Sequence, residues 1–152
     1  MAVKPVPDGY QTVTPYLAVQ EAARAIEFYK QAFGATEFMR LADNNGKIAH
    51  AEIKIGDSII MLADEYPDMG FHSPQTLNGS PVTLMVYVEN VDEQFNRAIA
   101  AGATTVRPLE DQFYGDRTAT LSDPFGHNWI IASHVEDVSL EEIKTRMSAY
   151  AS

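Results

Sequence analysis

Hydrophobic and polar positions follow the same order twice along the chain. Residues 10–19 (YQTVTPYLAV) are rich in Tyr, Val and Thr, which strands favour. Residues 20–34 change to a helical period, with apolar residues three or four positions apart and a glycine at the end. Three further strands are predicted at 35–42, 47–55 and 58–63. Residues 10–64 are therefore predicted to form a βαβββ module.

A second module with the same order of elements is predicted over residues 81–134. Its strands and helix are expected at 81–88 (strand), 89–102 (helix), 103–109, 116–122 and 128–133 (strands). Local sequence matches support a repeat, since FGAT at 33–36 returns as AGAT at 101–104. The pattern indicates an internal duplication, and the fold class is α+β.

Two segments lie outside the modules. Residues 64–80 are rich in Pro, Gly and polar residues and are too long for a hairpin turn, so they form either a linker or a functional loop over a site. Residues 139–149 read as a C-terminal helix, because Ser139 and Glu142 have capping-box spacing ahead of an apolar stripe. We expect a single domain over residues 1–152.

The charge and composition exclude several classes of partner. The formal net charge of −10 argues against a nucleic-acid surface and against binding to anionic lipid. It is compatible with a cationic ligand. The chain has no cysteine, which excludes disulfides, zinc–thiolate sites and thiol nucleophiles. Without a signal-like start or an apolar run of about 20 residues, we expect a cytoplasmic protein with no membrane span.

Several motifs resemble those of one superfamily. They are RAIEFYKQAFGA at 24–35, HAEI at 50–53, GDR at 115–117 and DPFGHNW at 123–129. With the two modules, they resemble the vicinal oxygen chelate superfamily of glyoxalases, bleomycin resistance proteins and extradiol dioxygenases, and its PhnB-like branch in particular. The resemblance covers about residues 10–134. It implies two curved four-stranded mixed sheets that each half-enclose a cavity, in a homodimer.

The resemblance also implies positions for metal ligands. Enzymes of this superfamily bind a divalent cation through His and Glu side chains on the first and last strands of each module. The corresponding positions here hold Thr14, Ile60 or Met61, Thr83 and Ile130. Threonine hydroxyls are poor ligands and methionine sulfur prefers Cu(I). We therefore expect no metal at the usual site and no cofactor.

The third strand carries the strongest candidates for chemistry. Strand alternation in KIAHAEIKI predicts His50 and Glu52 side by side on the cavity face. The other face is predicted to pack on the helix through Ala49, Ala51, Ile53 and Ile55. His50 would then act as a general base or hydrogen-bond a ligand, with Glu52 orienting it. The alternative is a solvated polar face with a histidine whose hydrogen bonds are satisfied.

Other candidates share the predicted cavity face or lie near it. Tyr16, Met85 and Tyr87 have the same strand parity as Thr14 and Thr83, which suits a flat apolar ligand or ordinary core packing. In the loop 111–117, Tyr114 would form part of the cavity rim. Arg117 would either bind an anionic group or pair with a nearby aspartate. The full set of expected ligand contacts is Thr14, Tyr16, His50, Met61, Thr83, Met85, Tyr87, Tyr114, Arg117 and Ile130.

The stretch DPFGHNW contains an Asp and a His at a spacing that suggests chemistry, but its pattern favours a turn. Asp123 before Pro124 initiates a tight turn, and Trp129 falls on the parity opposite Ile130, which places it under the helix.

The sequence leaves three functions open. One is a metal-free protein that binds a small, cationic or aromatic molecule. Another is a lyase or isomerase acting through His50 and Glu52 or a non-standard metal site. A third is a structural or regulatory dimer without a ligand.

Overall fold

Both predicted βαβββ modules form in the computed structural model, which describes residues 2–150. The chain divides into two units. The first runs to Ser80 and also includes Pro124–Gly126, and the second holds Pro81–Asp123 and continues from His127. Each unit contains a four-stranded mixed sheet and a long helix, which confirms the predicted α+β class.

The first unit is built from β1 (Tyr16–Val19), α1 (Ala22–Phe33), β2 (Thr36–Ala42), β3 (Ile48–Ile55) and β4 (Ser58–Asp64). Its strands lie in the order β1-β4-β3-β2, and only β1 and β4 are parallel. β1 begins later than predicted. Pro15, directly before it, has no N–H to donate to a ladder, although its carbonyl accepts from the Met61 N–H at 2.9 Å.

Helix α1 packs one apolar side on β2, β3 and β4. Ile26 and Tyr29 are fully buried on that side. The helix ends at Gly34, whose left-handed conformation (φ 68°) lets its N–H donate to the Lys30 carbonyl. Phe125 belongs to the same unit and packs on Phe28 with ring centroids 6.1 Å apart. The first core is therefore rich in aromatic side chains.

The buried Asp64, at the end of β4, ties three elements of the first unit together. One carboxylate oxygen accepts from the N–H of Ala22 at 2.9 Å, at the start of α1. The other accepts from the N–H of Ile48 at 2.7 Å, at the start of β3. A carboxylate at a helix N-terminus also complements the helix dipole.

Residues 65–80 follow β4 as a loop with a 3-10 turn at Pro67–Met69 and a short helix α2 (Pro74–Leu77).

The second unit repeats the same topology. Its elements are β5 (Thr83–Tyr87), α3 (Val91–Ala101), β6 (Thr104–Asp111), β7 (Asp116–Ser122), β8 (Asn128–His134) and α4 (Leu140–Tyr150). The strand order is β5-β8-β7-β6, with β5 and β8 parallel. The hydroxyl of Ser139 accepts from the N–H of Glu142, which caps α4 as the sequence predicts. None of the helices within residues 2–150 is long and apolar enough to span a bilayer.

The DPFGHNW stretch forms a turn and the start of β8 rather than a catalytic cluster. Asp123 is 5% exposed, and its carboxylate accepts from the N–H of His127 and from the indole N–H of Trp129, each at 2.9 Å. Trp129 itself is buried and pairs with Leu84 and Leu121 across the sheet. Asp123 therefore fixes the turn and provides a hydrogen-bond acceptor for the indole N–H of Trp129.

We predict that Asp123→Ala destabilises the protein by about 1–3 kcal/mol, because it removes the carboxylate that accepts from the buried indole N–H of Trp129 and the part-buried N–H of His127. Urea unfolding followed by circular dichroism measures the change. The control is Asp8→Ala at an exposed ion pair with Lys4, where a change within about 0.5 kcal/mol is expected. Equal effects of the two substitutions would contradict the structural role of Asp123.

Candidate functional site

The register of the first sheet aligns four side chains on one face. Tyr16 of β1 pairs with Met61 of β4, Met61 with Glu52 of β3, and Glu52 with Met39 of β2. Directly paired residues point to the same side of a sheet. We call this side, which lies opposite α1, the open face of the first sheet. Ile60 is on the other side and buried, so the fourth-strand position of the sequence analysis corresponds to Met61.

Strand β3 follows the predicted alternation except at its start. Ala51 and Ile53 are fully buried on the helix side, while His50 and Glu52 share the open face. The prediction was wrong for Ala49, which is exposed. Leu41 pairs with His50 but Ala42 pairs with Ile48, so an irregularity in the ladder leaves residue 49 outside the regular alternation.

A continuous chain of side-chain hydrogen bonds crosses the open face. The Tyr16 hydroxyl lies 2.6 Å from His50 Nδ1, and His50 Nε2 lies 2.7 Å from Glu52 Oε2. The hydroxyl of Tyr10 donates to the other carboxylate oxygen, Glu52 Oε1. We call these four residues the Glu52 network. It joins the segment before β1 to strands β1 and β3.

The protonation states in the network follow from its geometry. Burial opposes the charge of Glu52, which is 5% exposed, but hydrogen bonds from Tyr10 and His50 outweigh it and lower the pKa of this carboxyl. The hydrogen bond to Glu52 raises the pKa of Tyr10, and burial raises that of Tyr16. Near pH 7, Glu52 is therefore an anion that accepts a hydrogen bond from the protonated hydroxyl of Tyr10.

The anionic carboxylate fixes the direction of the hydrogen bonds. A carboxylate only accepts, so His50 Nε2 donates to Glu52. In the neutral imidazole the other nitrogen then accepts, and Tyr16 donates its single hydroxyl hydrogen to Nδ1. In that form of His50, the Tyr16 oxygen keeps lone pairs but has no free hydrogen. Tyr16, which is 45% exposed, then presents a hydrogen-bond acceptor.

Aromatic and apolar side chains surround the network. The Phe71 ring meets the Tyr16 ring edge-on, with centroids 5.5 Å apart. A pocket of about 490 Å³ adjoins Tyr10 and is lined by residues of the N-terminal segment together with Thr14 and Met61. The Thr14 hydroxyl donates to the Gln11 carbonyl at 3.1 Å, so its hydrogen is used locally. The sequence analysis missed Tyr10 and Phe71, which reach the site from flanking segments.

The loop that carries Phe71 is held by Glu65. Its carboxylate accepts from the N–H of Ser73 at 2.8 Å, the hydroxyl of Thr76 at 2.7 Å and the amide of Gln20 at 3.0 Å. These bonds, led by the one from Ser73, lower the pKa of Glu65 to about 2. Within residues 2–150, His72 of the same loop has a buried Nδ1 without a hydrogen-bond partner.

The second sheet also has one face that gathers candidates. Met85 pairs with Ile130 and Tyr87 with Ala132, while Thr83 pairs with Asn128. Thr83, Met85, Tyr87 and Ile130 therefore share a face, as the strand parity predicts. The exposed Tyr87 donates its hydroxyl to the buried Asp116 at 2.7 Å. His134 Nδ1 contacts the same carboxylate at 2.8 Å.

Arg117 and Tyr114 have different environments. Arg117 pairs with Ser133 and lies on the opposite side of the second sheet from Tyr87. Its guanidinium binds Asp92 at 2.9 Å and Asp111 at 3.2 Å, which corresponds to the ion-pair alternative. Tyr114 packs edge-on against Phe113, with ring centroids 5.3 Å apart. Burial and the nearby Asp116 raise the pKa of Tyr114.

The residues at the superfamily's metal positions do not fit a divalent cation. Met61 offers only a thioether and Ile130 no donor atom, while the two threonines carry neutral hydroxyls. Within the described part of the chain, no group of three or more His, Asp and Glu side chains is arranged to hold a metal ion. His50 and Glu52 bind each other and the two tyrosines instead.

Comparisons with known proteins agree with the motifs. Residues 10–131 match the model of the Glyoxalase/Bleomycin resistance protein/Dioxygenase superfamily. The uncharacterized protein Mb0911c of Mycobacterium bovis is 44% identical over 140 residues, which are 90% of this chain and 92% of that protein. The crystal structure of TioX from Micromonospora sp. ML1 is 28% identical with a TM-score of 0.63, covering 85% of this chain and all of TioX.

A further solved structure resembles the chain in fold. The PhnB protein from Bacillus cereus has a TM-score of 0.63 and covers 81% of this chain and 99% of its own. Its sequence is 19% identical, so the likeness concerns the fold alone.

We predict that Glu65 makes the stability depend on acid pH. Its pKa is lower in the folded state, so its stabilisation is present above about pH 4.5 and is lost as pH falls towards its folded pKa of about 2. Urea unfolding at several pH values should show a smaller loss over this range in Glu65→Gln than in the wild type. Glu89→Gln, at an exposed site, should keep the wild-type slope. Identical slopes in all three proteins would contradict the prediction.

Proposed function

We propose that this chain, which belongs to the Glyoxalase/Bleomycin resistance protein/Dioxygenase superfamily, binds a small aromatic molecule on the open face of its first sheet, without a divalent metal. The observation that carries the proposal is the exposure of Tyr16 in a fixed orientation. Tyr16 is 45% exposed, although Phe71 and His50 contact its ring and its hydroxyl lies 2.6 Å from His50 Nδ1. A large aromatic ring held rigid at the surface costs little entropy when a ligand contacts it.

The surroundings of Tyr16 suit a flat apolar ligand. Met61 lies beside it on β4, and methionine adapts its shape to irregular apolar surfaces. Phe71 adds a second aromatic ring on the loop side. The adjoining pocket of about 490 Å³ is within the range of small-molecule sites. The acceptor presented by the Tyr16 oxygen would orient a ligand that carries a hydrogen-bond donor.

The metal-free part of the proposal is supported by the side chains at Thr14, Met61, Thr83 and Ile130, which lack imidazole and carboxylate donors. Within the second unit, we propose the exposed residues Met85 and Tyr87 on the candidate face of its sheet, together with Tyr114, as a separate set of candidate ligand contacts. A homodimer, as the superfamily resemblance implies, is part of the same proposal, and light scattering would measure it.

We predict that Tyr16→Ala weakens binding of aromatic ligands about two- to tenfold, because a well-packed aromatic contact contributes about 0.5–1.5 kcal/mol. Ligands would be selected from an aromatic fragment library by NMR and their Kd measured for each variant. Tyr150→Ala is the matched control, since it removes the same side chain from an exposed position on α4. Loss of binding in both variants, or in neither, would contradict the assignment.

The same titrations test whether ligand binding requires a divalent metal ion. Affinities measured after dialysis against EDTA should equal those measured before it. Elemental analysis of the purified protein provides the control. One tightly bound divalent cation per chain, with binding lost in EDTA, would overturn the metal-free part of the proposal and leave the role of Tyr16 to be judged from its own variant.

A second candidate function is proton transfer in a lyase or isomerase, and the distances in the Glu52 network favour it. Tyr16 is 2.6 Å from His50, and His50 is 2.7 Å from the buried Glu52. A hydroxyl, an imidazole and a carboxylate in this order can accept a substrate proton at Tyr16 while the Tyr16 proton moves to His50. Glu52 would then stabilise the imidazolium.

If the chain is an enzyme, we predict that His50→Ala lowers kcat by about 10²–10⁴-fold, the usual contribution of a positioned acid–base group. Turnover would be measured by proton–deuterium exchange on a panel of carbon acids. Circular dichroism must show that the variant is folded. His127→Ala, at a half-buried turn position of the second unit, is the control. Absence of exchange with the wild type across the panel would count against this second function.

A further inference from the structure

Glu52 is a buried anion without a cationic partner of fixed charge. Among residues 2–150 its carboxylate contacts the Tyr10 hydroxyl and His50, and no Lys or Arg forms a salt bridge with it. Apart from the Tyr10 hydroxyl, His50 is the side chain that acts on it, through a hydrogen bond and, when the imidazole is protonated, through its charge. Buried carboxylates are costly unless a charged or strongly donating partner compensates them. The Glu52 carboxylate is held by side-chain donors, and one of them, the Tyr10 hydroxyl, comes from the segment before β1.

We propose that Glu52 Oε1 is the binding position for an ammonium or guanidinium group of the ligand, and that Tyr10 occupies this position in the free protein. The inference rests on the proposed function, because it assigns a charge to the molecule that the open face binds. It names both a ligand class, aromatic organic cations, and a residue that competes with them.

The exchange of Tyr10 for a cation is favourable at the carboxylate. Both bonds are charge-assisted because Glu52 is ionised, but an ammonium also brings an opposite charge to the carboxylate, whereas Tyr10 is neutral. The bond to His50 uses the other oxygen, Oε2, so it stays intact during the exchange. The ligand would therefore meet a carboxylate that His50 already holds in place.

The segment around Tyr10 can give way at small cost. Residues 2–9 are exposed, and the turn before Tyr10 is closed by its own N–H bonding to the Pro7 carbonyl. Besides the Tyr10 bond, a side chain of this segment reaches the first sheet's turns through a 3.5 Å contact from Gln11 to the Asp57 carbonyl. That distance is at the limit of a hydrogen bond. Release of Tyr10 thus breaks few polar contacts.

The pocket of about 490 Å³ adjoins the residue that the ligand would displace, Tyr10. It is lined by Tyr10 and Met61, and Met61 pairs directly with Glu52 and with Tyr16. An aromatic ring against Tyr16 and Met61 would place an ammonium on a short chain near the Glu52 carboxylate. The exposed acceptor oxygen of Tyr16 suits the remaining N–H groups of such an ammonium. The net charge of −10 would attract cations to the surface.

The test compares two probes that share a ring and differ in charge, phenethylammonium and 2-phenylethanol. Their Kd values would be measured at pH 7 by NMR titration with the full chain. The wild type should bind phenethylammonium about three- to tenfold more tightly than the alcohol. Glu52→Gln should remove this preference. Asp68→Asn, which removes one charge from an exposed site in the same unit, should keep it.

The distinctive expectation concerns Tyr10→Phe. This variant keeps the ring but removes the competing hydroxyl, so its affinity for phenethylammonium should rise about three- to tenfold while its affinity for the alcohol stays unchanged. Tyr10→Lys supplies a resident ammonium and should weaken phenethylammonium binding to the level of the alcohol. A role of Tyr10 as a plain pocket wall would shift both probes together.

The outcomes separate this inference from the proposed function. Equal affinities of the two probes for the wild type, or weaker binding of phenethylammonium to Tyr10→Phe, would overturn the cation position and leave aromatic binding standing. A preference that survives in Glu52→Gln would show non-specific attraction by the acidic surface and would also overturn it. Failure of both probes to bind any of the variants would overturn the proposed function and this inference with it.

Discussion

The parallel pairing of β1 with β4 is the constraint on which the candidate site depends. It puts Tyr16 beside Met61, and Met61 is in turn beside Glu52. A shift of one residue would turn Tyr16 towards α1, since strand side chains alternate between the two faces. The buried Leu17 and Val19 oppose such a shift, because it would move them to the open face. Hydrophobic burial on one face thus fixes the hydrogen-bond chemistry on the other.

Several buried carboxylates in the chain show why Glu52 is different. Asp64 accepts from two backbone N–H groups, and Asp123 accepts from one backbone N–H and the indole of Trp129. These contacts fix the backbone at a helix start, a strand start and a turn. Among the described residues, Glu52 instead hydrogen-bonds only side chains, as Asp116 also does, but one of its partners, Tyr10, adjoins the exposed residues 2–9. Its carboxylate therefore fixes side chains on the open face of the first sheet rather than the backbone.

The fold was predictable because its signals are local, while the site needed tertiary information. Strand β7 forms at 116–122 as predicted, and His50 and Glu52 share a face, since both follow from alternation. The exposure of Ala49 depends on how β3 pairs with β2, which no single strand encodes. Tyr10 reaches Glu52 across 42 residues of sequence. Such contacts arise from chain path and register, so the sequence pattern alone does not contain them.

The duplicated modules share a fold but order their polar groups differently. In the first unit the histidine is central, because His50 lies between Tyr16 and Glu52. In the second the carboxylate is central, since Asp116 accepts from Tyr87 and contacts His134. A central imidazole has a donor and an acceptor and can pass a proton along the chain, whereas a central carboxylate only accepts. Asp116 and then Asp137 raise the pKa of His134, which favours its charged form. Proton transfer is therefore better suited to the first module, and the second is better suited to holding a fixed charge.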